Sequence, residues 1–481
     1  MTHPSRARTR VALVVLVAAQ FVVMLDTSIV NVALPSIQSD LGIAHTGIAW
    51  VVNTYFLAFG GFLLVAGRLA DAVGRRRMLM LGAGLFTAAS LLAGFASSEA
   101  MLLVARVLQG IGAASLSPAA LSILLVMFPG PSRAKAMSAW GAASTLGGAT
   151  GVLVGGVATG LLGWPSVFFV TVPLSAALVV AAPLLFPAAE GNGGARFDFA
   201  GAAAVTGAAL GLIFAALSVP ASGLVSLPVL GGLGWAGASL IAFVLIERRA
   251  ADPILPLALF RAPAVSVGVA VGVLGGAARA SSFFLVALFL QQVLLLDPEL
   301  AGLGMVPTSL AGFAVSVLLL PRVLRALAPE TVVLIGLLVL AAGHLWLARS
   351  PLGPSYFADV LPALLLIAAG VALSFTPSTM VIASGVPAER SGLASGLSNA
   401  SSQIGAAIGI AMLGAIVAAG AAGSAAGPAD LLDGFRGAFG TAAGLALVAA
   451  AITSSLVLRR RGPKAVPAAT PSAGMEPTPK R

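Results

Sequence analysis

Apolar residues in this chain come in long unbroken runs, and the short stretches between the runs hold nearly all of its charge. A hydrocarbon core about 30 Å thick is crossed by roughly 20 residues of helix at 1.5 Å rise each. Runs of that length lie near 11–32, 48–67, 78–96, 101–127, 135–158, 166–187, 198–218, 226–246, 264–292, 300–321, 331–349, 358–383, 392–419 and 437–458. The pattern predicts an all-α polytopic membrane protein with fourteen transmembrane helices. Residues 1–10 read as a cytoplasmic N-terminus, and 459–481, rich in Pro, Ala and Thr beyond its basic start, as a disordered cytoplasmic tail.

Composition agrees, since 59% hydrophobic and 9% charged residues leave too little polar surface to cover a water-soluble core. The net charge of +10 would suit a nucleic-acid partner, but its distribution fits the bilayer better. All but four of the 26 basic residues fall on alternate connections or the termini, the exceptions being Arg106, Arg279, Arg349 and Arg436. With basic loops inside, both termini are cytoplasmic in a multi-pass plasma-membrane protein, and no nucleic acid is expected as a partner. The first run is too long for a secretory signal and reads as a retained helix. The absence of cysteine excludes a thiolate nucleophile and cysteine metal sites, and three scattered histidines, His3, His45 and His344, argue against zinc. No metal or cofactor is expected. No glycine-rich loop ends in Gly-Lys, so a Walker phosphate cradle is missing and an ion gradient must supply any work.

The chain also repeats itself. In LLVAGRLADAVGRRRMLMLG (63–82) and LLLPRVLRALAPETVVLIG (318–336), Arg68 falls on Arg322 and Gly82 on Gly336, both 254 positions apart. Arg133 pairs similarly with Arg390, and Pro118 with Pro377. Two homologous six-helix halves, 11–187 and 264–458, would then flank a two-helix insertion within 188–263. Parallel halves of this kind belong to rocking transporters, with a substrate site near the midplane between them.

Ionisable side chains in hydrocarbon cost at least about 2.5–3.5 kcal/mol each, so those that remain usually face a partner or a cavity. Asp26, Arg106 and Arg279 stand at similar depth in their spans. Asp26 is either a protonatable group whose pairing with Arg106 changes during transport, or half of a fixed bridge between the first and fourth helices. Arg279 follows Gly275-Gly276-Ala277-Ala278, and its partner is either an anionic or carbonyl-bearing substrate or a helix carbonyl. His344 reads as a hydrogen-bonded interfacial residue or a proton relay, and Gln291 and Gln292 as ligand contacts or a helix end. Gly147, Gly151 and Gly155, with Gly148 and Gly156 beside them, form a flat face on the fifth helix that suits close packing and sliding. The loop GRLADAVGRRR (67–77) offers Gly67 and Gly74 for a tight turn, Asp71 for the N-terminal end of the next helix or an arginine, and Arg75 to Arg77 as charge partners. It reads as a conformational latch, or as a topology anchor alone.

These motifs resemble the major facilitator superfamily and, within it, the fourteen-helix drug:proton antiporters. MLDTSIVNVALPSI (24–37) resembles that subgroup's first-helix signature at Asp26, Asn31 and Pro35. GRLADAVGRR (67–76) is similar to the superfamily loop pattern at Gly67, Arg68, Asp71, Gly74, Arg75 and Arg76. LLVARVLQGIGAA (102–114) matches the helix-4 pattern at Arg106, Gln109, Gly110 and Gly112, and LGGATGVLVGG (146–156) the helix-5 antiporter signature, with Gly148 and Val152 in place of the proline that usually follows glycine. The resemblance implies a non-enzymatic monomer that exports a hydrophobic or amphipathic small molecule, such as an antibiotic, against proton entry across a bacterial cell membrane, conferring resistance. Arg106 is implicated by it in proton coupling. An importer or symporter on the same fold is the alternative, and a membrane-embedded enzyme lacks a nucleophile–base pair.

Overall fold

The computed structural model describes residues 6–43, 47–187, 198–223, 225–250, 253–420 and 428–461. Arg196, Lys464, Lys480, Arg481, His3, His45 and the tail from Gly462 lie outside them. Among the described residues there is no strand. Fourteen helices are long and apolar enough to cross a bilayer: α1 (Arg8–Leu41), α2 (Trp50–Val73), α3 (Arg75–Gly94), α4 (Glu99–Met127), α5 (Ser132–Leu162), α6 (Pro165–Leu185), α7 (Phe199–Val219), α8 (Leu227–Glu247), α9 (Pro263–Gln292), α10 (Leu300–Ala326), α11 (Pro329–Leu347), α12 (Tyr356–Ser384), α13 (Ser391–Gly420) and α14 (Ala429–Leu458). The chain is a multi-pass membrane protein, and an even number of crossings returns its end to the face where it began.

Local chemistry explains where the helices start and stop. Ser98 accepts from the Met101 N–H ahead of α4, and Asp198 from the Gly201 N–H at α7. The helices of α5, α9 and α11 open on Pro131, Pro263 and Pro329, whose missing N–H would be unpaired there anyway. Gly74 alone separates α2 from α3, at φ +103°, where a side chain would be strained. The polar run expected as a loop at 67–77 is therefore helix on both sides of Gly74. Valine-rich α1 also outruns its expected span, since 34 residues reach about 50 Å and must project beyond the hydrocarbon.

Packing repeats between the two ends of the chain. In the first six helices α1 lies against α5, and α3 and α2 against α4; in the last six α9 lies against α13, and α11 and α10 against α12. Small residues set the closest approaches. A Cβ on Gly147, Gly151 or Gly155 would stand 2.7, 2.7 and 2.8 Å from the carbonyl oxygens of Phe21, Leu25 and Ile29, so α5 rests directly on the α1 backbone. Gly148 and Gly156 do not share that seam: a Cβ there would have Ser28 Oγ at 3.6 Å and Val32 Cγ1 at 3.9 Å, which is ordinary contact. The glycine face is one residue wide because a helix presents every fourth position, not its neighbour.

Helices α7 and α8 form a hairpin in which Gly211 of α7 backs onto the Gly232 carbonyl of α8. Helix α7 lies between α2 and α13. Its Ile213 and Leu210 fill the notches at Gly60 and Gly61, Phe214 stacks on Trp50 at 5.9 Å, and Ala215, Ala216 and Val219 pack with Ala411. The outer helix α8 leaves Leu230, Trp235, Leu240 and Ile241 more than half exposed, as a lipid-facing helix does.

Candidate functional site

Gly110 brings α4 against α2, since a Cβ there would meet the Tyr55 carbonyl at 2.6 Å and the Phe59 nitrogen at 3.0 Å. One turn earlier this contact slides Arg106 beneath the α2 backbone. The Arg106 side chain is 1% exposed and Asp26 of α1 0%, and Arg106 Nη1 donates to Asp26 Oδ2 at 2.8 Å. The same nitrogen donates to Gln109 Oε1 at 2.9 Å, and Nε to the Val51 carbonyl at 2.9 Å. The Tyr55 ring covers the guanidinium, its centroid 4.3 Å from Cζ. Gln109 Nε2 donates to Asp26 Oδ1 at 3.2 Å and to Ser90 Oγ of α3 at 2.8 Å, and Ser90 lies 3.1 Å from Thr171 of α6.

The arrangement is a buried carboxylate held by two donors beside a cation with three partners besides that carboxylate. Adding a proton to Asp26 would neutralise it without stranding Arg106. Tyr55, the Val51 carbonyl and Ser90 were not singled out from the sequence. A usable signal existed for the first: the chain has only two tyrosines, and one stands inside the second span.

A second polar junction joins the two ends of the chain on the terminus-bearing face. Both oxygens of Asp71 accept backbone N–H groups at the start of α13, Oδ1 from Gly392 and Oδ2 from Leu393, each at 2.9 Å. Of the two partners expected from sequence, an arginine is present and the next helix is not: the receiving helix lies 321 residues on, because α2 ends beside α13 and Gly74 turns α3 away. Arg75 Nε is 3.6 Å from Asp71 Oδ1, and its Nη2 donates to the Glu389 carbonyl at 3.2 Å. Arg76 Nη1 donates to the Phe186 carbonyl at 3.3 Å, and Arg68 lies near enough to act on the charge of Asp71. Gly67 serves the crossing rather than a turn: a Cβ there would be 2.6 Å from the Gly392 carbonyl and 3.0 Å from Gly396 Cα. Ser122 of α4 and Ser391 share a hydrogen bond of 2.7 Å.

Arg279 is not part of the Asp26 cluster. It is 5% exposed among α9, α11 and α12, with Nη1 3.5 Å from Ser374 Oγ and the Phe375 ring 5.6 Å away. His344 is also buried, 2.9 Å from Ser282 Oγ and 2.9 Å from the Leu340 carbonyl. Gln291 and Gln292 are exposed at the end of α9. Among the described residues no three His, Asp or Glu side chains are grouped to hold a metal ion.

The first six helices and the last six also touch where α5 meets α10 and α12. Gly141 of α5 approaches Thr376 Oγ1 and Gly312 of α10 approaches Thr145, whereas a Cβ on Gly160, near the other end of α5, would meet nothing within 4 Å. Asn31 and Pro35, near the far end of α1, are exposed. The model of one family, described as Major Facilitator Superfamily, matches residues 16–410. The chain belongs to the major facilitator superfamily. Superfamily relatives include a cephamycin export protein of Amycolatopsis lactamdurans, 38% identical over 407 residues that cover 82% of each chain. A puromycin resistance protein of Streptomyces alboniger is 35% identical, covering 81% of this chain and 78% of its own. A lincomycin resistance protein of Streptomyces lincolnensis is 34% identical over 76% of this chain and 75% of its own. Two solved structures share the fold: a human organic anion transporter (TM-score 0.69, 16% identity, 94% of this chain and all of that one) and a proton:xylose symporter (0.66, 14%, 94% and 96%).

Proposed function

We propose that this chain exports a hydrophobic or amphipathic drug, of the antibiotic kind, across a bacterial plasma membrane in exchange for protons and so raises the tolerance of its host. The cargo class is supported by the relatives, which are named for antibiotic export or resistance. The coupling rests on one observation, the fully buried Asp26 paired with Arg106 at 2.8 Å. The basic connections put the termini in the cytoplasm. The junction of Asp71 with α13 then lies on the inside, and the conformer described is closed to the cytoplasm.

In this reading a proton from outside neutralises Asp26, and Arg106 stays with Val51, Gln109 and Tyr55. The loss of the ion pair shifts α1 against α4, and the first half rocks until the Asp71 junction opens. Two backbone N–H groups and the positive end of α13 hold Asp71, so the closed state is favoured by charge as well as packing. Proteoliposomes loaded with a pH dye test the reading: wild type is expected to move protons when drug is added, and Asp26→Asn to bind drug without moving protons. Proton movement unchanged in Asp26→Asn removes Asp26 from coupling, and protons and drug travelling in the same direction turn the exporter into a symporter.

A further inference from the structure

Arg279 is a buried cation without a counter-charge. It sits mid-helix in α9, sixteen residues from Pro263 and thirteen from Gln292, too deep to reach either interface. None of the three ion pairs among the described residues includes it. Its polar contact is a long one to Ser374 Oγ, 3.5 Å, and Nη2 has no hydrogen-bond partner at all. Arg106, by contrast, has Asp26, Gln109, Val51 and Tyr55. Arg279 also lies 253 positions after Asp26, one short of the 254-residue offset between the halves. The first half therefore holds a cation with its acid, and the second a cation without one.

Removing a guanidinium from water is tolerated when an anion or several acceptors replace the water. The fork of Arg279 is folded over Gly275, where a Cβ would stand 2.7 Å from Nη1, and it leaves a free edge beside the Phe375 ring. A planar carboxylate or a sulfonate meets such an edge with two parallel hydrogen bonds, while an aromatic or apolar body packs on the phenyl ring. We infer that Arg279 is a binding site for the anionic group of the transported molecule, so that the cargo is an amphipathic organic anion. The inference rests on the reading of the chain as a small-molecule carrier and names its substrate class.

The test uses purified full-length protein in nanodiscs and two fluorescent amphipaths of nearly equal shape, anilinonaphthalene sulfonate and neutral phenylnaphthylamine. Wild type is expected to prefer the sulfonate, and Arg279→Gln to lose about tenfold for it while binding the neutral amine as before, the scale of one charge-assisted hydrogen bond. Arg279→Lys keeps the charge without the fork and guards against a glutamine variant that does not fold; it is expected to retain part of the preference. Equal affinity of wild type for both probes, or a preference that survives in Arg279→Gln, overturns the assignment. A preference abolished by exchanging gluconate for chloride makes the site one for small inorganic anions and overturns the cargo assignment. Since this readout is binding, it fails independently of the proton movement that tests export.

Discussion

Tyr55 shows how one side chain holds the coupling site together. Its ring lies over Arg106, but its hydroxyl is buried with no hydrogen-bond partner. The ring is therefore the part that matters to the cation, and a desolvated cation–π contact is worth about 2 kcal/mol. Tyr55→Phe is expected to unfold at or above the wild-type temperature and to move protons normally. Tyr55→Leu is expected to melt several degrees lower and to couple poorly, as thermal unfolding in detergent and the pH-dye assay would report. Asp26 and Arg106 could be read from sequence because charge in an apolar run is costly wherever it sits. The role of Tyr55 could not, since it depends on where Gly110 lets α4 cross α2.

At the level of helices, α1 and α5 form the closest pair of the first half, and their seam has no room for a side chain. Gly151→Val would put its Cβ 2.7 Å from the Leu25 carbonyl oxygen and 2.8 Å from Ser28 Cβ, with two methyl groups still to place, an overpacking of about 1–3 kcal/mol. Gly156→Ala meets only Val32 Cγ1 at 3.9 Å and is expected to be silent. Drug tolerance of a susceptible host expressing each variant, with the amount in the membrane measured alongside, checks the contrast. The helices themselves were open to sequence reading because twenty apolar residues in lipid have few alternatives to a helix. The loop at 67–77 was misread for the same reason, since a run of charge in a hydrophobic chain looks like a turn even where the backbone stays helical up to Gly74. The 321-residue reach from Asp71 to Gly392 has no local signature at all.

For the whole molecule, the chain offers a clean experiment because it has no cysteine. Ser122 and Ser391 touch across the two halves at 2.7 Å, so the double variant Ser122→Cys/Ser391→Cys can form one disulfide and no other. Oxidation is expected to stop drug-driven proton movement, reductant to restore it, and either single variant to be indifferent to both. The hairpin of α7 and α8 adds a constraint of its own. Helix α7 rests on α2 and on α13 at once, so any rocking of the halves must shear along its surface.

The junction at Asp71 has a one-sided chemistry. The aspartate is a side chain, but what receives it is main chain, and every amino acid except proline carries that N–H. Change at position 71 alters the lock, whereas change at Leu393 leaves the receiving donors in place. What holds Leu393 is the packing of its fully buried side chain, not the junction. A search for residue pairs that mutate together would pass over this junction, because a main-chain partner leaves no matching side-chain change to find.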